Sequence, residues 1–276
     1  MPRPPAADRR RERQAALAAV LAAEGLDALL VTSRSNIRYL TGFSGSAGVA
    51  VVPCAAGTGE GGEVLLVTDS RYDEQAHQQC GAVARVEIEA ASVWERLFTV
   101  LPSLGGLAAL GYEAHALSAK DAARLPDTWQ WKPAGELVER LRARKDPGEV
   151  AAIRAAAALA GAALQETLAA VRPAGGQTEL EIAGLLEHAL RRRGSEGHPF
   201  ATIVASGPRT AWPHAQTSAR PVQRGDWLLL DFGAVVDGYC ADVTRTVLVG
   251  ARADDAQRGL YDLVAAAQRR AREGVR

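Results

Sequence analysis

The segment 225–249 restricts the fold more than any other part of the chain. It runs Trp227-Leu228-Leu229-Leu230-Asp231-Phe232-Gly233-Ala234-Val235-Val236, then Asp237-Gly238, then Tyr239-Cys240-Ala241-Asp242-Val243-Thr244-Arg245-Thr246-Val247-Leu248-Val249. Two strand-like runs around Asp-Gly read as an antiparallel hairpin with a two-residue loop. With Asp237 and Gly238 in the loop, Val236 faces Tyr239, Gly233 faces Asp242 and Asp231 faces Thr244. Side chains alternate between faces, so Asp231 and Asp242 become diagonal neighbours on one face, roughly 7–8 Å apart at the backbone. Asp231 follows an apolar run, which predicts that it is at least partly buried. Two carboxylates on such a face repel, and burying either ion alone is costly. A shared proton, an arginine or cations would compensate. Arg245 alternates to the face opposite Thr244, which weakens the arginine option. Two divalent cations about 3.5–4 Å apart are bridged naturally by carboxylates at this spacing. A plain turn or capping role for either aspartate stays open.

The rest of the chain divides in two. A length of 276 residues corresponds to about two domains. In the first half, strand-like runs at 28–31, 47–52, 63–68, 83–88 and 107–112 alternate with helical patterns at 9–24, 35–40, 70–80, 94–101 and 118–125. Ser35 is the expected N-cap of the second helix. This alternation predicts an α/β domain with both sheet faces covered. The glycine-rich stretch 54–62 lacks the Gly-Lys-Ser/Thr ending of a phosphate loop and reads as a surface turn. A helix is expected over 136–144, ended by Lys145-Asp146-Pro147-Gly148. Asp146 suits an N-cap and Pro147 a first helical turn. Helices over 149–171 and 179–193, a strand over 202–205, the hairpin, and a helix over 256–272 predict an α+β second domain. The expected domains are 1–140 and 141–276.

Composition excludes several functions. Lysine plus arginine equals aspartate plus glutamate, 32 each, which argues against a nucleic-acid partner. No apolar run approaches the roughly 18–20 residues of a membrane span, so no membrane association is expected. The charged, Pro-rich start has no apolar core of a secretory signal. Three scattered cysteines, Cys54, Cys80 and Cys240, fit reduced thiols and a cytoplasmic location. His77, His115 and His188 have no ligand-type partners nearby in sequence and are assigned no chemistry. His198 is read as a loop residue. Ser206-Gly207-Pro208 lacks the Gly-x-Ser-x-Gly elbow of a serine nucleophile.

Four sets of residues resemble a known family. Asp231 and Asp242, with Asp237-Gly238-Tyr239 before the second and Thr244-Arg245-Thr246 after it, resemble the pita-bread metallopeptidases. These include Xaa-Pro aminopeptidases, Xaa-Pro dipeptidases (prolidases), methionine aminopeptidases and creatinase. Phe200-Ala201-Thr202-Ile203-Val204-Ala205-Ser206-Gly207 followed by Ala211-Trp212-Pro213-His214 is similar to the proline-directed branch. Asn36-Ile37-Arg38-Tyr39-Leu40-Thr41-Gly42-Phe43-Ser44-Gly45-Ser46 and Thr68-Asp69-Ser70-Arg71-Tyr72 are similar to the creatinase-type N-terminal domain, and Lys145-Asp146-Pro147-Gly148-Glu149 to the lead-in of the catalytic domain.

The resemblance implies a creatinase-like α/β N-terminal domain followed by a pita-bread α+β catalytic domain. It implies two divalent metal ions, commonly Mn²⁺ and sometimes Co²⁺ or Zn²⁺. Asp231 would bind one ion, Asp242 would bridge both, and His214 would be the catalytic histidine that is not a ligand. The implied reaction cleaves the bond between an N-terminal residue and proline in peptides, by a homodimer. Xaa-Pro dipeptidase is the alternative within the family, and a non-catalytic peptide- or protein-binding module is the alternative outside catalysis. Two departures stand out. The family's remaining ligands are a histidine and two glutamates beyond the hairpin, and nothing from Gly250 to Arg276 matches them; Glu273 lies in a charged stretch. The chain is therefore expected to hold the N-terminal part of the catalytic domain, with its ligand set incomplete, and to be inactive as it stands. Arg209 and Thr210 also stand where the family pattern usually has Asn and Ser or Gly.

Overall fold

Short apolar strands in the first half, the central ones buried on both faces, assemble one sheet, and the chain divides into two units, Met1–Lys145 and Asp146–Arg276. The computed structural model describes residues 8–54 and 62–275. The turn expected over 54–62 thus lies almost wholly outside the described residues.

The first unit runs α1 (Arg10–Ala23), β1 (Ala28–Val31), α2 (Arg34–Thr41), β2 (Val49–Pro53), β3 (Leu65–Asp69), α3 (Asp73–Cys80), β4 (Arg85–Glu89), α4 (Val93–Val100), β5 (Ala109–Glu113), α5 (Ala119–Ala122), β6 (Gln130–Ala134) and α6 (Leu137–Ala143). The sheet order is β4-β3-β2-β1-β5-β6. β2 pairs antiparallel with both β1 and β3, and the remaining pairs are parallel. Both faces are covered, as parallel strands require. Leu29 and Val31 pack toward α1, α2, α3 and α6 with Leu17, Leu21 and Leu40. Their neighbours Ala28 and Leu30 pack the other way, with Leu97, Leu101 and Leu110.

Some boundaries differ from expectation. Ser33, not Ser35, precedes α2, and its side chain makes no capping bond. Instead the Glu113 carboxylate accepts from the backbone N–H of Thr32 and Ser33, at 2.7 Å each. The helix expected over 118–125 is the short α5, capped by Ser118. Strand β6 was not expected, because Gln130-Trp131-Lys132-Pro133-Ala134 has no clean alternation. It is an edge strand, where a proline's missing N–H is tolerated.

The second unit runs α7 (Pro147–Ala170), β7 (Gly175–Thr178), α8 (Glu179–Arg192), β8 (Ile203–Ser206), β9 (Pro221–Gln223), β10 (Trp227–Val236), β11 (Tyr239–Leu248) and α9 (Asp255–Gly274). Asp146 closes a capping box on α7: its Oδ1 accepts from Gly148 N and Glu149 N, and Glu149 Oε2 accepts from Asp146 N. β11, β10 and β8 form an antiparallel sheet. Ala156, Ala160, Ala163, Leu186 and Leu190 of α7 and α8 pack on Leu228, Leu230, Phe232 and Ala234 of β10. The small pair β7–β9 was not expected, since Gly175-Gly176-Gln177-Thr178 and Pro221-Val222-Gln223 carry no apolar run.

One expectation about apolar runs needs correction. α7 has 24 residues and a mean hydropathy of 1.2 in its most apolar window, enough by length and composition to cross a membrane. Alanine supplies much of that hydropathy. The buried Ala156, Ala160 and Ala163 stripe packs against the sheet, which is the arrangement of a core helix.

Candidate metal centre

The hairpin forms in the expected register. Val236 pairs with Tyr239, Gly233 with Asp242 and Asp231 with Thr244. Asp237 has φ 51° and Gly238 φ 76°. Positive φ at both loop residues matches the right-handed strand twist. Leu228, Leu230, Phe232 and Ala234 enter the core. Alternation therefore puts Asp231 and Gly233, with Thr244 and Asp242 opposite, on the other face. Gly233 is required there: an added Cβ would lie 2.2 Å from the Ala241 carbonyl oxygen and 2.3 Å from Pro199 Cγ. Its missing side chain lets Pro199 close on the face that carries both aspartates.

Asp231 is half-buried and Asp242 is exposed, so this face is less buried than its apolar lead-in implies. Thr244 Oγ1 donates to Asp231 Oδ1 at 2.9 Å. The Asp242 carboxylate has no hydrogen bond or ion pair among the described residues. Carboxylate oxygens on one face, one set without a partner, are the donor chemistry that hard divalent cations take. The fit is partial. Each such ion takes about six ligands, and no third His, Cys, Asp or Glu joins the two aspartates among the described residues.

His214 lies apart, in an exposed turn after the short 3-10 helix Gly207–Ala211. No hydrogen bond links it to either aspartate among the described residues. Its loop is nevertheless firmly anchored. Glu179, at the start of α8, has no exposed surface. Its Oε1 accepts from Ser206 N at 2.8 Å and Ser206 Oγ at 2.9 Å. Its Oε2 accepts from Ser218 N at 3.1 Å and Ser218 Oγ at 2.7 Å. Arg209 Nε lies 3.2 Å from both oxygens. The same guanidinium donates to the Gln216 carbonyl and sits 5.0 Å from the Trp212 ring centroid, a cation–π contact. Thr217 Oγ1 accepts from Val204 N and donates to the Thr202 carbonyl. Arg209, a departure from the family pattern, is thus a strut across the loop that carries His214.

Comparison with known proteins follows the same division of the chain. Residues 13–144 match the Creatinase/Prolidase N-terminal domain, and residues 151–276 match Metallopeptidase family M24. The chain is 36% identical over 248 residues to the uncharacterized peptidase YqhT of Bacillus subtilis, covering 88% of this chain and 67% of that protein. The chain belongs to metallopeptidase family M24. Among solved structures, the Xaa-Pro dipeptidase from Bacillus anthracis superposes with a TM-score of 0.85 at 31% identity, over 94% of this chain and 70% of that one. The X-Pro aminopeptidase from Thermotoga maritima gives 0.78 at 33% identity, over 95% and 70%. The fold of this M24 chain is accordingly the creatinase-like domain followed by the pita-bread catalytic domain, over about 70% of the length of these solved relatives.

Two supports of the M24 hairpin were not found from sequence. Tyr239 OH donates to Glu149 Oε1 at 2.9 Å, tying the hairpin to the start of α7. Glu179 was invisible because the residues it serves lie 27 to 39 positions away. An Asp-Gly-Tyr turn and a glutamate following an N-cap threonine were its only local signals.

Proposed function

We propose that this chain is the metal-binding part of an Xaa-Pro aminopeptidase, which hydrolyses the bond between the N-terminal residue of a peptide and a following proline. The observation that carries this is the placement of Asp231 and Asp242 on one hairpin face, within the segment matched to the metallopeptidase family. The solved relatives named X-Pro aminopeptidase and Xaa-Pro dipeptidase support the substrate class.

Asp231 and Asp242 would hold two divalent cations, Mn²⁺ by preference because the donors are carboxylate oxygens. When bound, such a pair polarises the scissile carbonyl and supplies a nucleophile at neutral pH. Thr244 Oγ1 donates to Asp231 Oδ1, and Oδ2 would remain to bind a metal ion. Pro199 excludes water beside Gly233. An X–Pro bond is a tertiary amide, so the departing nitrogen needs a proton. His214 is the group proposed to deliver it or to donate to the carbonyl oxygen. Glu179 and Arg209 hold its loop.

Xaa-Pro dipeptidase is the second reading, favoured by the higher TM-score of the dipeptidase from Bacillus anthracis. The three free thiols support a reducing, cytoplasmic location, and the family resemblance supports a homodimer.

The test is turnover of Ala-Pro-Ala and of Ala-Pro, with Mn²⁺ and with chelator, by this chain joined to the C-terminal segment of a solved relative that supplies the remaining histidine and glutamate ligands. Chelator-sensitive release of alanine from the tripeptide is expected. Cleavage of the dipeptide alone would establish the second reading, and cleavage of neither would overturn both for this chain. In that protein Asp242→Asn should lower kcat by at least about 10³-fold, because the amide would no longer offer a charged oxygen to the metal ions. Comparable turnover in that variant would remove the metal assignment.

A further inference from the structure

The first unit contains a second group of ligand-type side chains, unrelated to the hairpin. Glu113 ends β5, His115 follows it in the next turn, and Glu139 lies on α6. One ligand atom from each lies within 4.8 Å of the others. His115 Nε2 is 3.1 Å from Glu139 Oε1. Glu113 is 1% exposed, and its Oε2 is held by the backbone N–H groups of Thr32 and Ser33. Asn36 Nδ2 donates to Glu113 Oε1 and to Glu139 Oε1, at 2.6 Å each. One amide therefore serves two carboxylates. Arg142 does not neutralise them: its guanidinium donates to Asn36 Oδ1 at 2.6 Å, on the far side of that amide. Glu139 Oε2 is buried and has no hydrogen-bond partner among the described residues. A buried carboxylate oxygen without a donor carries its desolvation cost uncompensated.

A cation bound by both oxygens of Glu139, Oε1 beside His115 and the unpartnered Oε2, would satisfy the latter and offset the repulsion of the two carboxylates. We propose that Glu113, His115 and Glu139 bind one Zn²⁺ ion. Two carboxylate oxygens and an imidazole nitrogen are a three-residue set that zinc takes, with water in the fourth position. The His115–Glu139 separation of 3.1 Å is already near the roughly 3.4 Å that two ligands make across a tetrahedron with bonds of about 2.1 Å. Asn36 orients both carboxylates, as hydrogen-bonding partners of metal ligands do. His115 is exposed, so the fourth position opens to solvent. The ion would clip β5 to α6 within the first unit. Two backbone amides of the Thr32-Ser33 turn already hold Glu113 in place for it.

The experiment uses the full chain carrying Asp231→Asn and Asp242→Asn, so that the hairpin does not contribute. It is titrated with Zn²⁺, and with Co²⁺ as a spectroscopic probe. One ion per chain is expected, with visible Co²⁺ absorption and a higher melting temperature in the presence of Zn²⁺. Adding His115→Ala or Glu139→Gln should weaken binding at least about tenfold, whereas His77→Ala should not change it. His115 is exposed, so its variant should melt like the parent without metal, which separates ligand loss from misfolding. Absence of stoichiometric binding at micromolar Zn²⁺, or equal affinity in the His115→Ala and Glu139→Gln variants, would overturn the proposal.

Discussion

At the scale of single residues, Glu179 is the most demanding group in the second unit. A fully buried carboxylate is tolerated there because Ser206, Ser218 and Arg209 all donate to it. Removing it would leave those donors and the guanidinium without their shared acceptor. Glu179→Ala should therefore lower stability by about 3–5 kcal/mol, the range for breaking a buried pair from one side. Urea unfolding of the variant measures this, and a loss under about 1 kcal/mol would mean that solvent replaces the carboxylate. Sequence reading treats such residues unevenly. Asp231 and Asp242 were legible because a two-residue turn and strict alternation fix their relation. Glu179 and the Glu113–His115–Glu139 group were not legible. Their partners are far apart in the chain, and nothing in a local pattern records that a helix start or strand end faces them. His115 illustrates the point: Glu139, 24 residues later, is the group it meets.

At the scale of elements, the β10–β11 hairpin depends on its loop. Asp237 and Gly238 both have positive φ, which Asn-Gly accepts as readily as Asp-Gly. Asp237→Asn should change stability by less than about 0.5 kcal/mol. Gly238→Val forces a β-branched residue into the left-handed region and should cost about 1–3 kcal/mol. Thermal melts of the two variants check the pair, and equal effects would show that the turn does not set the register. Elements with long periods or strong turns were legible: α1, β1, α7, α8 and the hairpin all lie within about two residues of expectation, the usual boundary uncertainty. β6, β7 and β9 were not: Gln130-Trp131-Lys132-Pro133-Ala134, Gly175-Gly176-Gln177-Thr178 and Pro221-Val222-Gln223 lack the apolar run that marks the equally short β1. Ser35 lies inside α2 rather than ahead of it, and the amides just before that helix, Thr32 N and Ser33 N, are held by Glu113 from another strand.

At the scale of the whole molecule, the two units differ in how well their apolar groups are covered. The first has packed clusters on both faces of its sheet. The second has one cluster, and its last helix, α9, has no buried residue while Leu260, Tyr261, Leu263 and Val264 are more than half exposed. Arg144 and Lys145 are exposed at the boundary between the units. Limited trypsin treatment should cut there and leave a resistant fragment ending near Lys145, while the second unit is digested from α9. Mass spectrometry of the time course tests this, and a single cooperative melt with uniform digestion would contradict it. By itself the sequence determined the two-part layout, the central strands of the α/β sheet and the face shared by Asp231 and Asp242, because these follow from apolar runs, alternation and turn chemistry within short stretches. Only the tertiary structure decided which groups meet across distance. It put Arg209 against Glu179, Tyr239 against Glu149, and His115 against Glu139, because buried charges are satisfied by whatever donors packing brings to them, wherever those lie in the chain.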